Sequence, residues 1–165
     1  MQGLINRYKC WRHSKGFGIH SPFAYRFITE VVRQHLPYYG YADISSDRRL
    51  RLLYRLIVYF RPRRVKIVSS QPTLLEGVIR RASSQTELVS DAPYFLVADA
   101  SDCATSDLCS MLIPGMEALI LNADRATTRA ISEALPCGML FDNRHGTIII
   151  AAYRHLPRQN FDVKF

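Results

Sequence analysis

Apolar positions in this chain follow two regimes. Up to Phe60 they recur at helical spacing, and from Val65 onward they form short blocks separated by polar segments. Leu4, Ile5, Tyr8 and Trp11 predict a short amphipathic helix over residues 3–13, broken by Gly16 and Gly18. Ser21-Pro22 then has the chemistry of a helix start, a serine cap followed by proline at the first helical position. Phe23, Phe27, Val31 and His35 continue one face, and Pro37 with the Tyr38–Tyr41 turn ends it. A third helix is predicted from Ser46 to Phe60, capped by Ser46 or Asp47. Leu50, Leu53, Ile57 and Phe60 form its apolar stripe, Leu52, Leu56 and Tyr59 widen it, and Pro62 stops it.

The remainder alternates. Strands are predicted at Val65–Ser69, Tyr94–Asp99 and Ala118–Asn122, with a short one at Glu87–Ser90. Helices are predicted at Thr73–Ala82, Thr105–Leu112 and Asp124–Leu135. Near-continuous apolar strands separated by helices mean a mostly parallel sheet covered on both faces, an α/β fold. The end changes character. Gly138–Asp142 and Thr147–Tyr153 are two strands joined by Asn143–Gly146, a hairpin-like connection, and Phe161–Phe165 alternates as a final edge strand would.

Composition narrows the class. The chain has 165 residues and is 48% apolar, which suits one folded domain with a sizeable core. No apolar run is long enough to predict a membrane span, and the basic N-terminus lacks the pattern of a secretory signal. Cys10, Cys103, Cys109 and Cys137 form no CxxC pair and have no histidine at zinc-ligand spacing, so no metal site is expected. They read as reduced thiols in a cytoplasmic protein, with a Cys103–Cys109 disulfide as an alternative. Charge is uneven. Residues 1–64 hold 13 Lys/Arg against 3 Asp/Glu, whereas residues 65–165 hold 9 against 11. Arg48, Arg49, Arg51 and Arg55 occupy the polar face of the third helix, and Arg61, Arg63 and Arg64 follow it. Such a cluster attracts an anionic partner, nucleic acid among them; the alternative is a face that only keeps the protein in solution.

Three segments in order resemble one family: Gly18–Val32 with its His20-Ser21-Pro22-Phe23 block, Leu52–Val65, and the closing Phe141–Phe165. They resemble the class I S-adenosylmethionine-dependent methyltransferases of Bacteroidetes-type bacteria. The resemblance implies a Rossmann-like sheet, mostly parallel with a C-terminal antiparallel hairpin and added N-terminal helices. It divides the chain into a basic helical segment over 1–62, packed on the core, and a shortened Rossmann-like domain over 63–165. It also implies S-adenosylmethionine as cofactor, with Ser69, Ser70, Asp91 and Asp99 at the positions that would bind it. Glu87 is the other candidate for the ribose hydroxyls.

The sequence departs from the family where the cofactor's amino-acid end should pack. A glycine-rich turn is expected after the first strand, and this chain has Ser69, Ser70, Gln71 and Pro72. Side chains there block close approach of backbone to ligand. The chain also looks shortened around Tyr41–Asp47 and Ser90–Pro93. Asp99 ends a predicted strand, with Asp102 close behind, where an α/β crevice would open. It is the catalytic candidate, or else a loop-ordering carboxylate. His20 is expected to bond a neighbouring backbone group or to face a ligand, and Asp142 and His145 to serve the terminal turn.

These readings favour a degenerate, catalytically impaired methyltransferase-like protein acting as a binding or interaction module. Two others stay open: an active methyltransferase with an atypical cofactor loop, and a nucleic-acid-binding protein using the basic N-terminal helices. Cofactor binding separates the first two, and salt-sensitive nucleic-acid binding isolates the third. The shortened segments would expose sheet surface and favour association between copies.

Overall fold

In the computed structural model, residues 8, 11, 19–34, 38–42, 44, 46–151 and 157–165 are described. Most of the helix expected over 3–13 lies outside them, as do Gly16, Gly18, Cys10, His35, Pro37 and the hairpin strand beyond Ala151.

Helix α1 runs Pro22–Arg26 and continues as a π-helical stretch, Phe27–Val32. Ser21 caps it by accepting the Ala24 amide, as the Ser-Pro start predicts. After a single 3-10 turn at Tyr39–Tyr41, α2 spans Arg48–Phe60. Asp47 caps α2 through the Arg49 amide at 2.8 Å, and Arg61 ends it in the left-handed conformation, one residue before Pro62. Further helices are α3 (Pro72–Ala82), α4 (Thr105–Met111) and α5 (Arg125–Ala134), the last capped by Asp124 on the Thr127 amide.

Among the described residues seven strands form one sheet: β1 (Arg64–Val68), β2 (Glu87–Leu88), β3 (Phe95–Asp99), β4 (Glu117–Leu121), β5 (Met139–Asp142), β6 (Ile148–Ala151) and β7 (Gln159–Asp162). Their order is β2-β1-β3-β4-β6-β5-β7, and only β6 runs against the rest. The three strands expected at the centre, β1, β3 and β4, are adjacent and parallel. This is an α/β architecture compatible with a Rossmann-like fold.

Alternation along the strands builds two cores. Phe95, Val97, Leu119, Leu121, Phe141 and Ile149 face α1, α2 and α3. Leu96, Ala98, Ala118, Ile120, Ile148 and Ile150 face α4 and α5. The first core takes buried residues from both sides of position 62, so α1 and α2 share one apolar interior with the sheet. Phe27 sits at its centre, with ring centroids 5.0 Å from Phe141 and 5.6 Å from Phe60.

Three sequence expectations need correction. The final edge strand is Gln159–Asp162 and stops short of Phe165, because it pairs residue for residue with β5 and ends where β5 turns at Asp142. Strand β1 is not buried on both faces. Arg64 and Lys66 remain half-buried on the side where the second core takes only Val68 from it, and that only partly. The polar face of α2 is not simply solvated, since Arg51 and Arg55 are half-buried.

Candidate functional site

The carboxyl ends of β1, β3, β4 and β5 lie at one end of the sheet, where α/β proteins bind ligands. Asp99 ends β3. Its Oδ1 accepts from the Ser101 amide at 3.0 Å and the Ser101 hydroxyl at 2.6 Å. Its Oδ2 accepts from Asn122 Nδ2 at 2.7 Å. Burial pushes the Asp99 carboxyl up. The bonds from Ser101 and Asn122, with the charge of Arg49, outweigh that and hold it below the ordinary aspartate range. A carboxylate with its oxygens so engaged ties the loop after β3 to the end of β4.

Asn122 follows β4 in the left-handed conformation, at φ 54°, which asparagine tolerates better than most residues. Its Oδ1 accepts from Arg49 Nη1 at 3.1 Å. Arg49 in turn lies 3.4 Å from the Asp47 carboxylate. A polar chain therefore runs Asp99–Asn122–Arg49–Asp47. It joins two residues that the sequence assigns to different sites, the cofactor candidate and a member of the basic cluster. Asn122 itself escaped assignment. The signal was available: a polar residue closes an otherwise apolar strand, as Asp99 does.

The turn after β1 is closed on itself. The Ser70 amide donates to Asp102 Oδ2 at 2.6 Å, and the Gln71 amide to Ser69 Oγ at 3.1 Å. Pro72 has no amide to give. The amides of Ser70 and Gln71, just ahead of the helix, are thus engaged within the protein.

Asp91 is not brought to this end. Its carbonyl accepts from Arg64 at the start of β1, and Glu87 pairs with Arg64 in the sheet. Both residues therefore stand near the amino end of β1, about a strand length from Ser69. The cause is the two-residue β2, from which the chain returns directly to β3 without a helix. His20 is exposed. Asn143 Oδ1 accepts the His145 amide and Asp142 Oδ1 the Arg144 amide, so the terminal turn is ordered by its own side chains. Burial, then the carboxylates of Asp107, Asp102 and Asp99, push the Cys103 thiol up, which disfavours a nucleophilic thiolate beside the crevice. Cys103, Cys109 and Cys137 are free thiols. Among the described residues no group of three or more His, Cys, Asp or Glu could hold a metal ion, and no helix is long and apolar enough to cross a membrane.

At the same end of the sheet, displaced toward β5 and β7, a cavity of about 450 Å³ opens between α2 and the chain termini of these strands. Arg33, Arg48, Arg49, Arg51, Arg55 and Lys164 line it, and no Asp or Glu does among the described residues. All four arginines that the sequence assigns to an anionic partner converge here. Their roles differ. Arg55 donates to the Val32 carbonyl at 3.1 Å and the Tyr41 hydroxyl at 3.3 Å, tying α2 to the end of α1. Arg51 lies over the Tyr41 ring at 5.2 Å. Arg48 is exposed at the first turn of α2. Tyr41, Arg33 and Lys164 could not be assigned from sequence, because they reach the cavity from three separate segments. Arg61, Arg63 and Arg64 lie beyond the far end of α2 and do not line it.

No family model, curated protein or solved structure matches this chain.

Proposed function

We propose that this chain is a binding module built on a methyltransferase-like α/β sheet, catalytically impaired, and that it engages an anionic partner through the basic cavity in a cytoplasmic setting. The observation that carries the reading is the contrast between two places at the same end of the sheet. In the turn after β1, Asp102 and Ser69 already accept the amides of Ser70 and Gln71, and proline follows. That arrangement does not fit the amino-acid end of S-adenosylmethionine, which needs free amides and close backbone approach. A short distance along the sheet, Arg48, Arg49, Arg51 and Arg55 of α2 line one cavity together with Arg33 and Lys164.

The sheet order supports the methyltransferase-like ancestry, since parallel units close on a single antiparallel strand next to β4. Asp99 remains the residue to test if the chain transfers methyl groups. Two measurements decide. Titration calorimetry with S-adenosylmethionine is expected to give no heat of binding at micromolar ligand. A micromolar dissociation constant would instead promote the active-enzyme reading. Retention on heparin is expected at low salt and to fall steeply between about 50 and 200 mM, as polyanion binding does. No retention at low salt would remove the anionic partner.

A further inference from the structure

Resting on that reading of the cavity, we infer that its ligand is a phosphorylated small molecule carrying a flat ring, of the nucleotide class, bound one molecule at a time. Charge is the first ground. Arg48, Arg51 and Arg55 lie at three- and four-residue spacing along α2, where like charges oppose helix formation. Arg51 and Arg55 each keep an Nε–H that is buried and without a partner. Those atoms lie beneath the surface and are not contacts themselves, while the Arg55 terminal amines already bond Tyr41 and the Val32 carbonyl. A phosphate at the cavity mouth would offset the crowding, with the exposed Arg48 and the terminal amines of Arg51 as its donors.

Shape and lining are the second ground. About 450 Å³ is the size of a small-molecule site. Trp11, Tyr41 and Phe165 share the wall with Val32 and Leu52, which provides aromatic faces and an apolar floor for a ring. Asn143 and Thr147, from the turn between β5 and β6, add hydrogen-bonding groups beside them. The third ground is confinement. Helix α2 has 13 residues and is about 20 Å long, so Arg61 and Arg63 sit a helix length from Arg48. The cations form a pocket at one end instead of the continuous stripe that tracks a polymer backbone.

The test is titration calorimetry on the full chain with AMP, GMP and UMP, and with adenosine, inorganic pyrophosphate and a 12-nucleotide single-stranded RNA as comparators. At least one mononucleotide is expected to bind. Adenosine should bind about tenfold or more weakly than AMP, because it loses the charge-assisted contacts. Pyrophosphate should also bind less tightly than the best nucleotide, since it lacks the ring. Arg48→Gln and Arg51→Gln should each weaken nucleotide binding about tenfold, and Arg61→Gln should leave it unchanged. Arg48 is exposed, so its variant keeps the test valid even if Arg51→Gln fails to fold. Equal affinity for AMP and adenosine would overturn the inference. So would RNA binding that no mononucleotide competes with, although that result would leave the anionic-partner reading standing. Failure of nucleotides, pyrophosphate, RNA and heparin alike would sink both.

Discussion

Replacing Phe27 by alanine tests whether the N-terminal helices and the sheet are one cooperative unit. Phe27 is fully buried, and its ring centroid lies 5.7 Å from Phe23, 5.4 Å from Tyr59, 5.6 Å from Phe60 and 5.0 Å from Phe141. Three of those partners belong to helices and one to β5, so the ring joins α1 to both α2 and the sheet. Truncating a buried phenylalanine costs about 3–5 kcal/mol through lost transfer energy and the cavity left behind. Loss of paired aromatic contacts places this site toward the upper end of that range. A domain stable by about 5–15 kcal/mol would lose a third or more of its stability. At roughly 2–4 °C per kcal/mol for a chain of this size, Tm should fall by about 6–20 °C. Urea unfolding followed by both far-ultraviolet circular dichroism and tryptophan fluorescence should show one transition, shifted to lower urea. A loss under about 1 kcal/mol would refute the reasoning. So would two transitions of which only one moves, because α1 would then be an appendage to an independent sheet.

Other expectations follow from single side chains. Burial pushes the Glu117 carboxyl above its ordinary range, so stability is lost as pH rises from the unfolded-state pKa through the folded one. Glu117→Gln should therefore raise Tm at pH 7, with the gain vanishing below about pH 4; no gain at pH 7 would contradict this. Asp99 has the opposite sign. Its depressed pKa gives stability that is present above about pH 4 and lost as pH falls through the lower folded value. Asp99→Asn should thus be less stable than the parent at neutral pH, with the gap closing in acid, and a gap that persists at pH 2 would be evidence against the Ser101–Asn122 account. Gly146 has φ +86°, and an added Cβ would stand 3.3 Å from the Ala123 carbonyl oxygen. Gly146→Ala should cost about 1–2 kcal/mol, measured by urea unfolding, and an unchanged midpoint would show that the turn relaxes freely.

Much of the fold was legible because local signals agreed with the tertiary arrangement. Ser21-Pro22, Asp47 and Asp124 mark helix starts, and apolar blocks at β3 and β4 mark strands buried on both faces. Legibility failed where pairing partners set the outcome. The bounds of β7 follow from those of β5, and β1 shows a polar face because helices cover only part of its second side. The site divided in the same way. Contiguous arginines could be read from sequence as a cationic helix face. Their splitting into a cavity group and a remote group could not, since α2's length and the approach of Tyr41 and Lys164 decide it. Asp91 was misplaced for a related reason: its position depends on how far β2 extends, and two residues leave it at the wrong end of β1.

Ligand binding at the cationic cavity and closure of the turn after β1 can be tested together. Two-dimensional NMR of the isotopically labelled protein, titrated with AMP and separately with S-adenosylmethionine, tests both in one measurement. AMP should shift the signals of Tyr41, Arg48, Arg51 and Thr147 while Ser69, Ser70 and Asp102 stay in place, and S-adenosylmethionine should shift none of them. Movement of Ser69, Ser70 and Asp102 with micromolar S-adenosylmethionine, with the cavity signals unmoved by AMP, would contradict both.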